Sequence, residues 1–338
     1  VTTRRQALRF TAVAGLGLLF GGAVTAGLVR MSGLRRVRAT RTQMGMRVTV
    51  TVIHPDEDLA RSTVDSAFAE IDRLEGIFSR HIPGTPVDQL NRAGVVHSAP
   101  DELLTVLTTA HRFSELTGGA FDATVAPVLA LYERELEASG GLPAPADIDR
   151  ALALVDYRAV VIRDRTVQLE KPGMALTLDG IAKGFIVDRA AALLLAAGAE
   201  RVMVEAGGDV ASSGKPGDGF DGWQLAVRDP LEANGVLGVL TIDGEGVSTS
   251  GDYIHTFSDD REAHHIVDPR TGRSPVVLSS ATIIAPTAME ADALSTGVMV
   301  LGPTDGVALL DRLDAVEGLI ITKEGQISRS NGLDRYLS

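Results

Sequence analysis

Val48, Val50 and Val52 alternate with polar residues across Arg47–Ile53, and this two-residue period predicts a half-buried strand. The pattern then changes to helical spacing. Val64, Ala67, Phe68, Ile71, Leu74 and Phe78 share one face of a helix predicted over Leu59–Phe78. A second helix opens at Pro100-Asp101 and closes at Gly118-Gly119. Val160–Ile162 and Val167–Leu169 read as a hairpin. A strand is expected to run from Leu176 into Gly180, followed by a helix over Ile181–Ala197 and a strand over Val202–Glu205. Strands are predicted at Trp223–Val227, Val236–Ile242 and Ala281–Ala285. Helices follow at Thr287–Leu301 and Thr304–Leu313, and Leu319–Thr322 with Gln326–Ser328 make a closing hairpin.

Strands mixed with separate helices indicate an α+β fold, with mixed, largely antiparallel sheets flanked by helices. No Gly-x-Gly-x-x-Gly links a strand to a helix, so a dinucleotide-binding βαβ unit is not supported. Internal repeats and low-complexity tracts are absent from the sequence. Glu137–Ala146, rich in Gly, Ala and Pro, is the one soft stretch, read as a surface loop between two halves of one body.

Charge divides the chain sharply. The first 41 of its 338 residues carry eight arginines and no acid, and the rest carry 24 basic and 44 acidic side chains, a net of −20. A body this acidic repels phosphate backbones, which argues against nucleic-acid binding and obliges an anionic ligand to bring or find positive charge. The sequence has no cysteine, which removes thiol catalysis and disulfides. Thr3-Arg4-Arg5-Gln6-Ala7-Leu8-Arg9 resembles a twin-arginine export signal, and an apolar run follows from Phe10 to Val29. Residues 1–40 are therefore expected to be an export signal, with Val24-Thr25-Ala26 as a cleavage site, or else a single membrane anchor. The body is expected over residues 41–338, outside the cytoplasm or on the outer face of the membrane.

Several short stretches carry candidate chemistry. Asp292 sits in an apolar helix, where a buried carboxylate needs compensation. Thr296, four residues on, shares its face, and the pair offers hard oxygen ligands suited to Mg²⁺. Spacing alone favours the plainer alternative, in which Asp292 faces solvent and Thr296 bonds back to its own helix. Asp179-Gly180-Ile181-Ala182-Lys183-Gly184 leads into a helix whose free N–H groups, with Lys183, could face an anion. Val204–Asp209 and Ser248–Tyr253 end in glycine- and acid-bearing turns. His264-His265-Ile266-Val267-Asp268 places a candidate base beside an apolar pair. Asp122, in Gly119-Ala120-Phe121-Asp122-Ala123-Thr124, reads as a helix cap.

These stretches occur in one order: Met44-Gly-Met, Gly-Ala-Phe-Asp-x-Thr, Gly-Ile-Ala-Lys-Gly-Phe-x-x-Asp, Gly-Gly-Asp, Thr-Ser-Gly-Asp-Tyr, His-Ile-Val-Asp-Pro-Arg-Thr-Gly and Ala-Asp-Ala-Leu-x-Thr. Over about residues 40 to 335 the chain resembles the ApbE-type FAD:protein FMN transferases. It looks most like the branch associated with nitrous oxide reductase maturation. The resemblance implies that Asp292, Thr296 and the Gly180 carbonyl hold Mg²⁺. It further implies that Met44, His81, Ala120, Phe121, Asp122, Thr177, Lys183, Ile266 and Ser295 line the FAD site, with FAD as substrate. His265 is expected to be the catalytic acid–base or positioning group. The family commonly has an aspartate where this chain has Thr177, so Asp179 is the candidate to take over its role. The implied reaction moves FMN onto a threonine or serine of an acceptor flavoprotein, a membrane redox protein, and releases AMP. Hydrolysis of FAD to FMN and AMP, and non-catalytic flavin carriage, are the alternatives.

Overall fold

A computed structural model describes residues 33–214, 222–232 and 234–338; the expected twin-arginine motif, apolar run and cleavage site lie outside them. The body is α+β as expected, but every strand pair in its main sheet is antiparallel rather than mixed. The strands of this eight-stranded sheet are β1 (Arg35–Gln43), β2 (Met46–His54), β6 (Arg201–Ala206), β7 (Asp209–Ser213), β10 (Gly246–Gly251), β11 (Leu278–Ala285), β12 (Glu317–Thr322) and β13 (Ile327–Arg329), in that spatial order.

β1 takes in residues that the sequence reading left to the N-terminal segment. Its arginines hide a strand pattern in which Val37 and Ala39 turn to the helices packed on the sheet. β10 takes in the first residues of the Ser248–Tyr253 stretch, where the sequence suggests a turn. It is a buried strand whose serines face a helix instead of solvent.

The period-2 alternation divides the sheet into two faces. Val48, Val50, Val52, Val202, Val204, Ala281, Ile283 and Ile320 enter the main core. This face is covered by α1 (Glu57–Phe78), α6 (Ala182–Ala196) and α7 (Ala288–Leu310). Ile53, Met203, Val247, Ile284 and Leu319 point the other way, into a smaller core. The hairpin of β8 (Trp223–Arg228) and β9 (Val236–Ile242) covers that face with Leu333 and Tyr336.

Between the neighbouring strands β2 and β6 the chain makes one long excursion. It contains α1, α2 (Pro86–Ala93), α3 (Asp101–Leu116), α4 (Ala126–Ser139) and α5 (Pro145–Leu152), followed by α6. A three-stranded sheet also forms there, from β3 (Val95–Val96), β4 (Val160–Arg163) and β5 (Thr166–Leu169). The expected soft stretch at 137–146 is the bend between α4 and α5. The strand expected before Gly180 does not form. Residues 175–178 are extended but outside any sheet. Asn91 takes the place of a neighbouring strand: its amide donates to the Leu176 carbonyl and its oxygen accepts from the Leu176 N–H, at 2.9 and 2.6 Å. α7 holds the two helices expected from the sequence, joined across a break at Gly302 (φ 82°, ψ −179°) before Pro303.

Candidate active site

The site is built where α6 begins, beside the second turn of α7. Asp292, on α7, is 2% exposed. Its Oδ2 accepts from the Gly184 N–H at 3.1 Å, and Lys183 Nζ donates to Oδ1 and Oδ2 at 3.1 and 3.2 Å. The solvent-facing alternative for Asp292 is therefore excluded. The α6 start is not an open anion cradle either, since a protein carboxylate already uses one of its N–H groups.

Lys183 is shared further. Its ammonium lies 3.1 Å from Asp209 Oδ2 and donates to the Asp179 carbonyl at 2.8 Å. Burial alone would lower the lysine pKa, but Asp209 and Asp292 more than reverse that, and it stays charged. Burial raises the Asp292 pKa, helped by the like charge of Asp209 and opposed by Lys183 and the Gly184 N–H. Asp209 also accepts from Ser248 Oγ at 2.5 Å, which places the Gly-Gly-Asp turn inside the site.

Gly180 faces Thr296. A Cβ on Gly180 would stand 2.9 Å from Thr296 Oγ1 and 3.4 Å from Phe121 Cε2, so only glycine admits this approach. Thr296 Oγ1 makes one long contact among the described residues, 3.4 Å to Ser250 Oγ. The Asp292 carboxylate, the Thr296 hydroxyl and the Gly180 turn therefore lie close together at the α6 start. The donors they offer are all hard oxygen, with one buried carboxylate, a set suited to Mg²⁺.

The remaining expected residues divide into two groups. Phe121 packs against Gly180, and Ala120 beside it is buried. Met44 forms the β1–β2 turn with φ 52°, and its N–H donates to Glu75 at the end of α1. His81 follows α1 and lies near enough to Asp179 to favour that carboxylate's charge. Asp179 is exposed and pairs with Arg80 at 3.4 Å.

Other side chains are spoken for. Asp122 accepts from the Thr124 N–H and hydroxyl and from the Tyr157 N–H, as a cap does. Thr177 accepts from the Asp179 N–H at 3.3 Å and so staples the turn, which is a local task for a short hydroxyl. Ser295 is fully buried: it donates to the Asp292 carbonyl and meets Ser250 at 2.8 Å. In this structure it ties α7 to β10. The Ile266 side chain belongs to the main core.

His265 is half-buried. Its N–H donates to the His255 carbonyl at 2.9 Å and its Nδ1 stands 3.2 Å from the same oxygen. With Nδ1–H donating there, Nε2 carries the free lone pair. Burial pushes its pKa down to about 3, assisted by His255, His264 and Lys183. At that value the ring is neutral at pH 7 and weakly basic, which suits it to accept a hydrogen bond and orient a hydroxyl more than to remove its proton. Asp188, Asp209, Arg80 and His255 were not singled out from the sequence. Asp188 and Asp209 stand inside quoted motifs, and only their burial against distant partners reveals a role.

The comparisons place this fold among the flavin transferases. The ApbE family profile matches residues 44–320. A FAD:protein FMN transferase of Salmonella typhimurium is 30% identical over 294 residues, covering 84% of this chain and 83% of that protein. The ApbE protein of Thermotoga maritima superposes with a TM-score of 0.81 at 30% identity, covering 90% of this chain and 100% of that one. The flavin transferase ApbE of Vibrio cholerae gives 0.77 at 26% identity, with 90% and 100% covered. The chain belongs to the ApbE family.

Proposed function

We propose that this protein transfers FMN from FAD to a threonine or serine hydroxyl of an acceptor protein and releases AMP. The observation that carries this reading is the buried Asp292, held by Lys183 and the α6 start one turn before Thr296, which faces Gly180. Asp292, Thr296 and the Gly180 carbonyl would hold Mg²⁺, which supplies charge neutralisation to the diphosphate of the substrate. Lys183 adds a fixed positive charge in a body of net −20. Phe121 packs against the Gly180 turn from within the core, beside the buried Ala120, and so fixes the turn that carries the Gly180 carbonyl.

The acceptor oxygen attacks the phosphorus of the FMN half. The bond from that phosphorus to the bridging oxygen breaks, and AMP leaves with that oxygen. His265 Nε2, its tautomer set by the His255 carbonyl, accepts the hydrogen bond of the attacking hydroxyl and orients it, and the proton leaves to solvent as the new P–O bond forms. Charge placement and alignment supply most of the rate, as in phosphoryl transfer generally. The acceptor we favour is a membrane flavoprotein outside the cytoplasm, on the strength of the arginine-led apolar N-terminal segment.

The test mixes the protein, FAD, Mg²⁺ and candidate acceptors. A yellow fluorescent acceptor band that survives denaturation, with AMP released in equal amount, is the expected result. AMP released at the same rate without any acceptor would replace transfer by hydrolysis. FAD that stays intact with Mg²⁺ and every acceptor would leave only a carrier.

A further inference from the structure

Asp188 lies on α6, four residues after Gly184 and therefore on the same face. Its two oxygens accept from the first two N–H groups of α7, Ala288 at 3.0 Å and Met289 at 2.9 Å. Asp292 sits one turn further along α7 and accepts in return from the Gly184 N–H of α6. Each helix thus offers a carboxylate to the start of the other. The space between them is closed: a Cβ on Gly184 would collide with the Ala288 carbonyl, and one on Gly246 with the Ala288 nitrogen. The remaining α7 cap comes from Thr287 on α7's own side, whose hydroxyl accepts from Glu290 N at 3.2 Å.

We propose that Asp188 is a positioning residue for cation binding. It fixes the first turn of α7 against α6, and thereby sets where Asp292 and Thr296 stand relative to Gly180. The proposal rests on the reading of Asp292 and Thr296 as cation ligands. A neutral amide at position 188 keeps one acceptor, turns its NH₂ toward a backbone N–H and removes the charge that suits a helix N-terminus. α7 then loses its hold one turn before the ligand pair. Residues that orient metal ligands from behind commonly change affinity by about 10- to 100-fold.

The test measures Mn²⁺ binding to the full chain by electron paramagnetic resonance, beside the Mg²⁺ dependence of AMP release. Asp188→Asn is expected to weaken Mn²⁺ binding about tenfold and raise the half-saturating Mg²⁺ by the same factor, with kcat at saturating metal within about twofold. Thr287→Ala removes the cap that α6 does not supply. It is expected to lower the melting temperature while leaving Mn²⁺ affinity within about twofold. Unchanged affinity in Asp188→Asn overturns the proposal, and so does an equal loss in Thr287→Ala, which would mark general destabilisation. Should the amide variant not fold, Asp188→Glu keeps charge and acceptors but shifts them by one methylene. It must then show the affinity loss, and wild-type affinity in it overturns the proposal. Asp292→Ala in the same assay tests the underlying reading separately: if it binds Mn²⁺ like wild type, the ligand assignment itself is lost.

Discussion

Lys183 sits between Asp292 and Asp209 with its charge fully engaged, and the three side chains answer differently to substitution. Asp292→Ala leaves the ammonium on Asp209 and the Asp179 carbonyl, so the chain is expected to fold. Its metal-dependent activity should vanish, and full turnover by this variant would refute the ligand assignment. Lys183→Met instead strands two buried carboxylates together, at a cost of about 3–5 kcal/mol. Its melting temperature is expected to fall and to recover in part when Mg²⁺ is added, because a cation restores the missing charge. A melting curve indifferent to Mg²⁺ would count against a cation at this spot. His265→Gln should lower kcat by up to about 10², the loss expected when the attacking group is no longer held in place. With a ring pKa of about 3, His265 is already deprotonated through pH 5–8, and the wild-type pH–rate profile should show no histidine limb near 6.5. Much of this site was legible in the order of motifs, which led to Asp292, Thr296, Gly180 and Lys183. Asp188 and Asp209 were not, because an acid within a helix motif or after two glycines reads locally as surface or turn. Their partners lie about 100 and 39 residues further along the chain. Ser295 was legible as a motif hydroxyl, but its place in the α7–β10 contact was not, because its partners on β10 lie about 45 residues earlier in the chain.

The contact of α6 with α7 is the element that holds the site, and Gly184 is its tightest point. Gly184→Ala is expected to cost several kcal/mol, because the new methyl meets the rigid Ala288 carbonyl and not a flexible side chain. Thermal or chemical denaturation measures this directly. The same contact carries a pH signature. Burial raises the Asp188 pKa from its ordinary value to about 6, with the Ala288 and Met289 N–H groups opposing and Glu290 and Asp209 adding to the rise. Between about pH 4 and pH 6 the folded chain therefore binds more protons at this group than the unfolded chain, and stability falls as pH rises. The contribution is at most about 3 kcal/mol. Asp188→Asn should flatten the stability profile in that window, and an unchanged slope would contradict the assignment. At this scale the helices were readable because their apolar stripes are long and periodic. α7 was correctly seen as two pieces, since Gly302-Pro303 cannot continue a helix. β1 and β10 were missed for a common reason. Arginine and serine are poor strand signals, and they become strand residues here through neighbours supplied by distant segments, β2 in one case and β7, β11 and α7 in the other.

The described body is built on one large antiparallel sheet, with the candidate site on its helical side and a lid on the other. Tyr336 closes that lid: it is buried, its hydroxyl donates to Glu245 at 3.1 Å and its carbonyl accepts from Thr241 N at 2.7 Å. Tyr336→Ala is expected to cost about 3–5 kcal/mol through the cavity left behind. It should do so with little change in metal affinity, because the smaller core lies across the sheet from Asp292. β1 has a different importance. It is an edge strand of the sheet, and it begins at Arg35, six residues after the end of the apolar run at Val29. Six residues span at most about 22 Å. Were the apolar run held in a bilayer, the body would work on a leash of that length, and the hydroxyls within its reach would be those displayed just above the lipid.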